Sequence, residues 1–303
     1  MATRLSAAQR RRQKVRERTI EAVLFLAAAS SVFVTLGIVG VLVYESAAFF
    51  AHVPLKDFLT DTMWTPLFAD PHYGILPLIT GTLLSTLVAL FVAAPLGLVA
   101  AVYLSEFASH GFRETVKPAL ELLSAVPTVV YGFFALLFVT PLLQKTILPS
   151  LPGFNILSAG IVIGIMIIPY VASVSEDALR AVPQGLRDGS LALGATKLET
   201  AFKVVLPAAI SGVAAAFILG ISRAVGETMV VAIAAGQQPN LTLDPREPAA
   251  TITAYIVQVA LGDLPHGSIG YQSIFAAGLV LFLITLTFNI LSFWLRRTFR
   301  EAY

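Results

Sequence analysis

Two opposite charges, Arg223 and Glu227, stand in the stretch "LGISRAVGETMVV" at residues 219–231, which is otherwise almost wholly apolar. On a continuous helix, residues four apart lie on one face, so these two side chains could form an ion pair. Arginine also presents a planar fork of donors that matches the oxygens of an oxyanion. Two hypotheses are therefore open: a salt bridge that fixes the helix or a partner subunit, and a binding pair for an anion.

The composition indicates that this stretch lies in a membrane. Of the 303 residues, 57% are hydrophobic and only 13% are charged, and the mean hydropathy is +0.83. A soluble domain carries roughly 25% charged residues, which cover its surface in water. We therefore interpret the chain as an integral membrane protein. A charged side chain at the bilayer centre costs roughly 2.5–3.5 kcal/mol, so the charged pair requires an explanation.

Six apolar runs are long enough to cross a bilayer, which takes about 20 helical residues. They lie near 20–49, 77–105, 118–144, 156–175, 207–235 and 271–295. Pro127 and Pro141 interrupt the third run and free backbone groups that need protein or water partners, so we expect this helix to be buried in a bundle. The expected fold is all-α, with about six transmembrane helices.

The distribution of Lys and Arg predicts the orientation of these spans. Sixteen of these residues fall in the basic segment 1–19, the loops on the same side and the segment 294–303, and three fall on the other side. Both termini are therefore expected in the cytoplasm, and the loop 50–76 outside it. The first span is too long for the core of a signal peptide, which favours an uncleaved anchor. The apolar piece 249–261 is too short to span and predicts a re-entrant or interfacial helix.

The sequence lacks the residue patterns of a catalytic or metal site. Cys is absent, and the four His residues fall singly in loops. The stretch "GSLALGATK" at 189–197 has the two glycines of a phosphate-binding loop, but Ala195 stands where that loop needs Lys. We therefore expect neither enzymatic activity nor a metal or cofactor bound by this chain.

The longest inner loop, at 176–206, contains signals for two short helices that meet at a turn. Pro183 can open the first helix, and Gly194 can close it. Thr196 and Glu199 form a capping box that starts the second helix. That helix carries an apolar stripe at Leu198, Ala201, Phe202 and Val205. Such a protrusion fits a groove on a partner, although it could equally fold onto its own membrane bundle.

The same loop resembles the "EAA---G---------I-LP" motif of ABC importer permeases. Asp188-Gly189-Ser190, Gly194, Val204 and Leu206-Pro207 keep its spacing, and all the departures keep size or charge type. The resemblance implies a coupling helix that sits in a cleft of the ATPase subunit. The residues expected to make this contact are Asp188, Gly189, Ser190, Gly194, Ala195, Thr196, Leu206 and Pro207.

Three further stretches, at 124–136, 165–183 and 222–229, resemble the phosphate-specific ABC importer permeases. The run "SEDAL" at 175–179 is similar to the PstC type rather than to its PstA sister subunit. The resemblance implies a type-1 importer core at about 77–293 in the cytoplasmic (inner) membrane. It also implies three kinds of partner besides membrane lipid: a homologous PstA-type permease, a dimer of PstB-type subunits that binds ATP and Mg, and an extracytoplasmic phosphate-binding protein. Nothing indicates a nucleic-acid partner.

The resemblance favours a translocation path that contains Arg223 and Glu227. The other residues expected on this path are Ser222, Thr228, Ser124, Thr128 and Tyr131. Ordinary helix packing is an equal alternative for these five, because small and hydroxyl residues are common between membrane helices. Sulfate, molybdate or a phosphonate would suit the same arginine, and a transporter driven by an ion gradient would have no need of a docking loop.

Overall fold

The computed structural model describes residues 7–298, so the parts of the predicted terminal segments at 1–6 and 299–303 lie outside the described residues. The described part is a bundle of helices that we number in chain order. They are α1 (Ala7–Phe50), α2 (Leu55–Thr60), α3 (Leu76–Phe107), α4 (His110–Ser124), α5 (Thr128–Thr146), α6 (Ile156–Arg180), α7 (Gln184–Ala192), α8 (Lys197–Ala208), α9 (Ile210–Val225), α10 (Met229–Ala234), α11 (Ile252–Ala260) and α12 (Ile269–Thr298).

Five of the described helices are long and apolar enough to cross a membrane: α1, α3, α5, α6 and α12. A sixth span is obtained if α8 and α9, which meet at a bend of 74°, count as one. These numbers agree with the expectation of about six spans. The fold is therefore the all-α membrane fold expected from the composition.

The predicted third span at 118–144 was wrong in its first half. The chain breaks between Ser124 and Thr128, and the apolar span runs over Thr128–Thr146. Pro127 causes the break, because a proline disfavours helical backbone in the residue before it and has no N–H of its own to donate. Residues 118–124 instead belong to α4, which is an amphipathic helix. Pro118 and Pro141, in contrast, are accommodated within helices.

The predicted fifth span at 207–235 was also wrong, because three helices share it. The bend falls between Ala208 and Ile210, and α9 ends at Val225. The fourth span is longer than predicted: α6 extends to Arg180 and takes in the first residues assigned to the inner loop. The connection between the α6 and α7 helices is therefore short, and both ends of the loop are attached to rigid helices.

The centre of the bundle is the contact between α3 and α6, which pack along much of their lengths. Glycines make their close approach possible. A Cβ built on Gly160 would lie 2.6 Å from the Val88 side chain, and one on Gly164 would lie 2.7 Å from the carbonyl oxygen of Ala89. The two helices thus form a rigid core on which the shorter helices are arranged.

One end of the molecule contains an aromatic cluster that is mostly buried. Phe49, Phe58, Trp64, Tyr73 and Tyr255 pack edge to face, with ring centroids 5.0–6.2 Å apart. The cluster joins the end of α1 to the loop 50–76 and to α11. Five of the nine residues of α11 are buried, and four of them follow one another from Ile252. The burial of α11 within the bundle differs from the predicted interfacial position.

Candidate translocation site and coupling loop

Arg223 lies in the last turn of α9, where the carbonyl end of a helix favours a positive charge. Its Nη2 atom donates to the backbone carbonyl of Ser124, the last residue of α4, at 3.5 Å. Its guanidinium carbon lies 5.9 Å from the centroid of the Tyr170 ring of α6, within range of a cation–π contact. The guanidinium therefore stands where α4, α6 and α9 meet.

Glu227 does not pair with Arg223, which corrects the expected geometry of a shared helical face. The α9 helix ends at Val225, so the two residues are not on one continuous helix. Oε1 of Glu227 instead accepts from the backbone N–H groups of Met229 and Val230, at 3.1 and 3.3 Å. Among the ion pairs of the described residues, none joins Arg223 to Glu227. Glu227 acts as a cap for the start of α10.

Three of the residues expected on the path gather at the break between α4 and α5. Ser124 ends α4, Thr128 begins α5, and Tyr131 lies one turn further. The Tyr131 hydroxyl donates to the carbonyl of Leu123 at 2.8 Å. The carbonyl end of α4 thus receives a hydroxyl from α5 and the guanidinium of Arg223 from α9.

The remaining two expected path residues flank Arg223 and Glu227 in the chain. The Ser222 Oγ is buried and has no hydrogen-bond partner in the part of the chain that the structure describes. Thr228 donates to the carbonyl of Gly226 at 3.2 Å. An unpartnered buried hydroxyl beside an arginine is a group with capacity to bind a ligand, because buried polar atoms are almost always hydrogen-bonded.

The predicted pair of short helices in the inner loop is confirmed. Pro183 precedes α7 as its N-cap, and the turn after this helix is made by Gly194, whose φ of +88° is strained for any side chain. The capping box is present at the start of α8: Thr196 Oγ1 accepts from the N–H of Glu199 at 3.2 Å, and the Glu199 carboxylate accepts from the N–H of Thr196 at 3.0 Å.

The apolar stripe on α8 divides into a buried part and an exposed part. Ala201 and Val205 are buried against the bundle, whereas Leu198 and Phe202 are exposed. Leu193, in the turn, is 92% exposed. Each of the two hypotheses for the loop describes part of it. One side folds onto the bundle, and the other side presents apolar side chains on the surface of the molecule.

The residues of the "EAA"-like motif are placed along this hairpin of helices. Asp188 accepts from Gln184 one turn earlier on α7, at 3.1 Å. Ser190 and Thr200 join the two helices through their hydroxyls, at 2.9 Å. Leu206 and Pro207 continue α8 up to the bend before α9. Gly189 has open space around it, so its side-chain position faces no neighbour within 4 Å.

Two basic side chains fasten the inner loop and α4 to the bundle, and the sequence analysis missed the contacts of both. Arg187 of α7 binds both carboxylate oxygens of Glu106, at 2.9 and 3.1 Å. Lys117 of α4 donates to the fully buried Glu176 at 2.7 Å and to Asp177 at 2.5 Å. Burial lowers the pKa of Lys117, but the hydrogen bonds and the negative charges of Glu176 and Asp177 together raise it by more, so the net pKa lies above the ordinary value. Lys117 therefore stays charged at neutral pH.

Comparison with known proteins agrees with this arrangement. Residues 93–301 match the family described as binding-protein-dependent transport system inner membrane component. The chain is 34% identical to a probable ABC transporter permease protein, YqgH, of Bacillus subtilis over 296 residues, which cover 96% of this chain and 94% of the relative. It is 34% identical to the phosphate transport system permease protein PstC of Haemophilus influenzae over 256 residues, 78% of this chain and 79% of the relative.

The chain belongs to the PstC-type permeases of ABC importers. Solved structures show the same fold at low sequence identity. The permease superposes with a TM-score of 0.63 on a chain of a bacterial ABC transporter involved in alginate import, at 16% identity, with 96% of this chain and 100% of that chain covered. It superposes with a TM-score of 0.55 on a chain of the MetNI methionine transporter, at 18% identity, with 75% and 95% covered.

Tyr170 is a further residue of the permease site that sequence reasoning missed. It belongs to the stretch at 165–183 that carries part of the family resemblance, but nothing in its local pattern indicates a contact with Arg223. Its partner is 53 positions away along the chain, and only the packing of α6 against α9 brings them together. The sequence likewise contains no sign of the contact between Lys117 and Glu176, because charged residues are common in loops.

Proposed function

We propose that this permease is the PstC-type subunit of an ATP-driven inorganic phosphate importer, with Arg223 as the anion-binding residue of its path. The observation that carries the proposal is the guanidinium of Arg223, placed between three helices in a chain whose relatives include phosphate permeases. In a membrane-spanning protein such a charge is costly, and it is retained where it binds an ion or a partner.

Arg223 binds an anion by exchanging one acceptor for another. In the structure its Nη2 faces the carbonyl end of α4 at 3.5 Å, a long and weak hydrogen bond. Phosphate carries negative charge, and two of its oxygens can accept two parallel hydrogen bonds from the guanidinium, which the single oxygen of a carbonyl cannot do. Phosphate therefore displaces the contact to Ser124 without the loss of a strong interaction, and Ser222 can donate its unpartnered hydroxyl to the same ion.

The permease forms its path with a second, homologous permease. The PstA-type sister subunit supplies the opposite wall. An extracytoplasmic phosphate-binding protein delivers phosphate to the outer loops, of which the segment 236–250 and the loop 50–76 are the largest.

The hairpin of α7 and α8 docks in the ATPase subunit. Its exposed apolar side chains, Leu193, Leu198 and Phe202, offer a small hydrophobic surface of the kind that fits a groove on a partner. ATP and Mg bind to the PstB-type dimer and not to this chain, so hydrolysis is the partner's reaction. Closure of the ATPases draws the hairpins together and opens the path to the outside. In this orientation both termini of the permease lie in the cytoplasm.

Uptake of radiolabelled phosphate tests this proposal. The permease is co-expressed with its sister permease, ATPase and binding protein in cells without a high-affinity phosphate system. We expect ATP-dependent uptake that excess sulfate, molybdate or phosphonate does not reduce. Uptake of another oxyanion would contradict the substrate. Uptake that follows an ion gradient and needs no ATPase would contradict the class of transporter.

A further inference from the structure

Lys117 donates to the buried carboxylate of Glu176 and to the exposed Asp177, and the docking of the ATPase and the binding of phosphate leave the buried contact unexplained. The Glu176 side chain is fully buried, and its Oε2 accepts from Lys117 at 2.7 Å. Its Oε1 lies 3.7 Å from Arg180 and has no hydrogen-bond partner among the described residues. A buried carboxylate that is only partly satisfied is a costly feature, and an apolar pair would avoid the cost.

The pair joins two elements that are distant in sequence. Lys117 lies on α4, and Glu176 lies 59 positions later, near the cytoplasmic end of α6. The end of α6 is in turn bound to the coupling hairpin, because Arg187 of α7 donates to the carbonyls of Leu179 and Val182 at 2.9 and 2.5 Å. A movement of the hairpin therefore reaches the backbone one turn from Glu176.

The other end of α4 lies at Arg223. Ser124 follows Lys117 by two helical turns, about 10 Å along the helix axis. Its carbonyl is the acceptor that faces the guanidinium of Arg223. One end of α4 thus contacts Arg223, the proposed phosphate-binding residue. The middle of α4 is bound to α6, whose end is bound by Arg187 of the coupling hairpin.

We propose that α4 is a lever between the ATPase-docking hairpin and Arg223, and that Lys117 is the positioning residue at its joint. When the hairpin moves, Arg187 carries with it the end of α3, through Glu106, and the end of α6, through the carbonyls of Leu179 and Val182. The Lys117–Glu176 pair then turns α4. The carbonyl of Ser124 then approaches or leaves Arg223, which changes how firmly the guanidinium can bind phosphate. The inference rests on the proposed function, because it assigns a consequence to ATPase movement.

Lys117→Met tests whether the contact between Lys117 and Glu176 transmits the movement. The variant is studied in the complete importer, reconstituted with its ATPase and binding protein in proteoliposomes. Two quantities are measured: radiolabelled inorganic phosphate taken up per ATP hydrolysed, and the stimulation of ATP hydrolysis by the binding protein. We expect uptake per ATP to fall about tenfold in Lys117→Met, with basal hydrolysis retained and its stimulation lost. Lys117→Arg, which keeps the charge and the donors, should restore both quantities.

Arg113→Met is the matched control, since it removes a positive charge one turn earlier on α4 and should leave both quantities unchanged. Wild-type uptake per ATP in Lys117→Met would overturn the proposal. So would equal losses in Arg113→Met, or failure of Lys117→Arg to restore coupling in an assembled complex.

The two proposals fail in different ways. If the wild-type importer hydrolyses ATP but takes up no radiolabelled phosphate, the proposed substrate is wrong. The role of Lys117 is then decided by the stimulation of hydrolysis by the binding protein, because this readout does not depend on which anion is carried.

Discussion

At the scale of single residues, the two charges that the sequence places four residues apart have separate contacts and separate roles. Arg223 faces the carbonyl end of α4, and Glu227 caps α10. The reason is local: the helix ends at Val225, and the first N–H groups of the next helix have no partner within that helix. Residues four apart lie on one face only if the helix continues between them, and here it ends at Val225.

The cap gives a prediction for Glu227. Glu227→Ala removes the acceptor of two backbone N–H groups and should lower the stability of the purified permease by about 1 kcal/mol. Glu227→Gln keeps a carbonyl oxygen at the same place and should stay close to wild type. Thermal unfolding in detergent measures both. Equal destabilisation by the two variants would indicate that the negative charge, and not the acceptor, is what the site needs.

At the scale of elements, the contact between α3 and its neighbours depends on glycines. A Cβ on Gly81 would lie 2.2 Å from the carbonyl oxygen of Ala250, a backbone atom that cannot move without shifting the start of α11. Gly81→Ala should therefore destabilise the permease by about 1–3 kcal/mol, as overpacking does.

Gly189→Ala is the control for this prediction. Gly189 lies within α7 with no atom in the way of a Cβ, so alanine there should stabilise the helix by up to about 1 kcal/mol. Melting temperatures of the two variants should move in opposite directions. A Gly81→Ala variant as stable as wild type would show that α11 shifts more easily than its burial suggests.

The elements also show what the sequence could and could not predict. The coupling hairpin was predictable because its signals are local: a proline at one end, a glycine at the turn and a capping box at Thr196 and Glu199. The sequence analysis placed Pro127 within a single span, since a proline in a membrane span can either interrupt one helix or separate two. The contacts of Lys117 with Glu176 and of Arg223 with Ser124 join positions far apart in the chain, so no local pattern indicates them.

At the scale of the whole molecule, the distribution of positive charge and the position of the hairpin together predict the orientation in the membrane. The chain has no cysteine, so single cysteines can report it cleanly. Leu193 in the hairpin turn is 92% exposed, and Leu243 in the loop before α11 is 84% exposed. They lie on opposite sides of the membrane in the proposed orientation.

A membrane-impermeant maleimide tests this orientation. Leu243→Cys should react in right-side-out vesicles, and Leu193→Cys only in inside-out vesicles. The wild-type chain is the blank for both. Reaction of Leu193→Cys in right-side-out vesicles would place the hairpin outside the cell, where it could not reach an ATPase.

The central claim is that Arg223 binds the transported anion, and the most direct measurement is phosphate uptake by its variants in the assembled importer. Removing a charged hydrogen-bond donor costs about 1.5–3 kcal/mol, so Arg223→Gln should reduce uptake by about 10- to 100-fold, while membrane level and assembly with the ATPase stay normal. Uptake by Arg223→Lys, which keeps the charge but not the planar fork, should lie between that of the wild type and that of Arg223→Gln. Wild-type uptake by an assembled Arg223→Gln importer would contradict the claim.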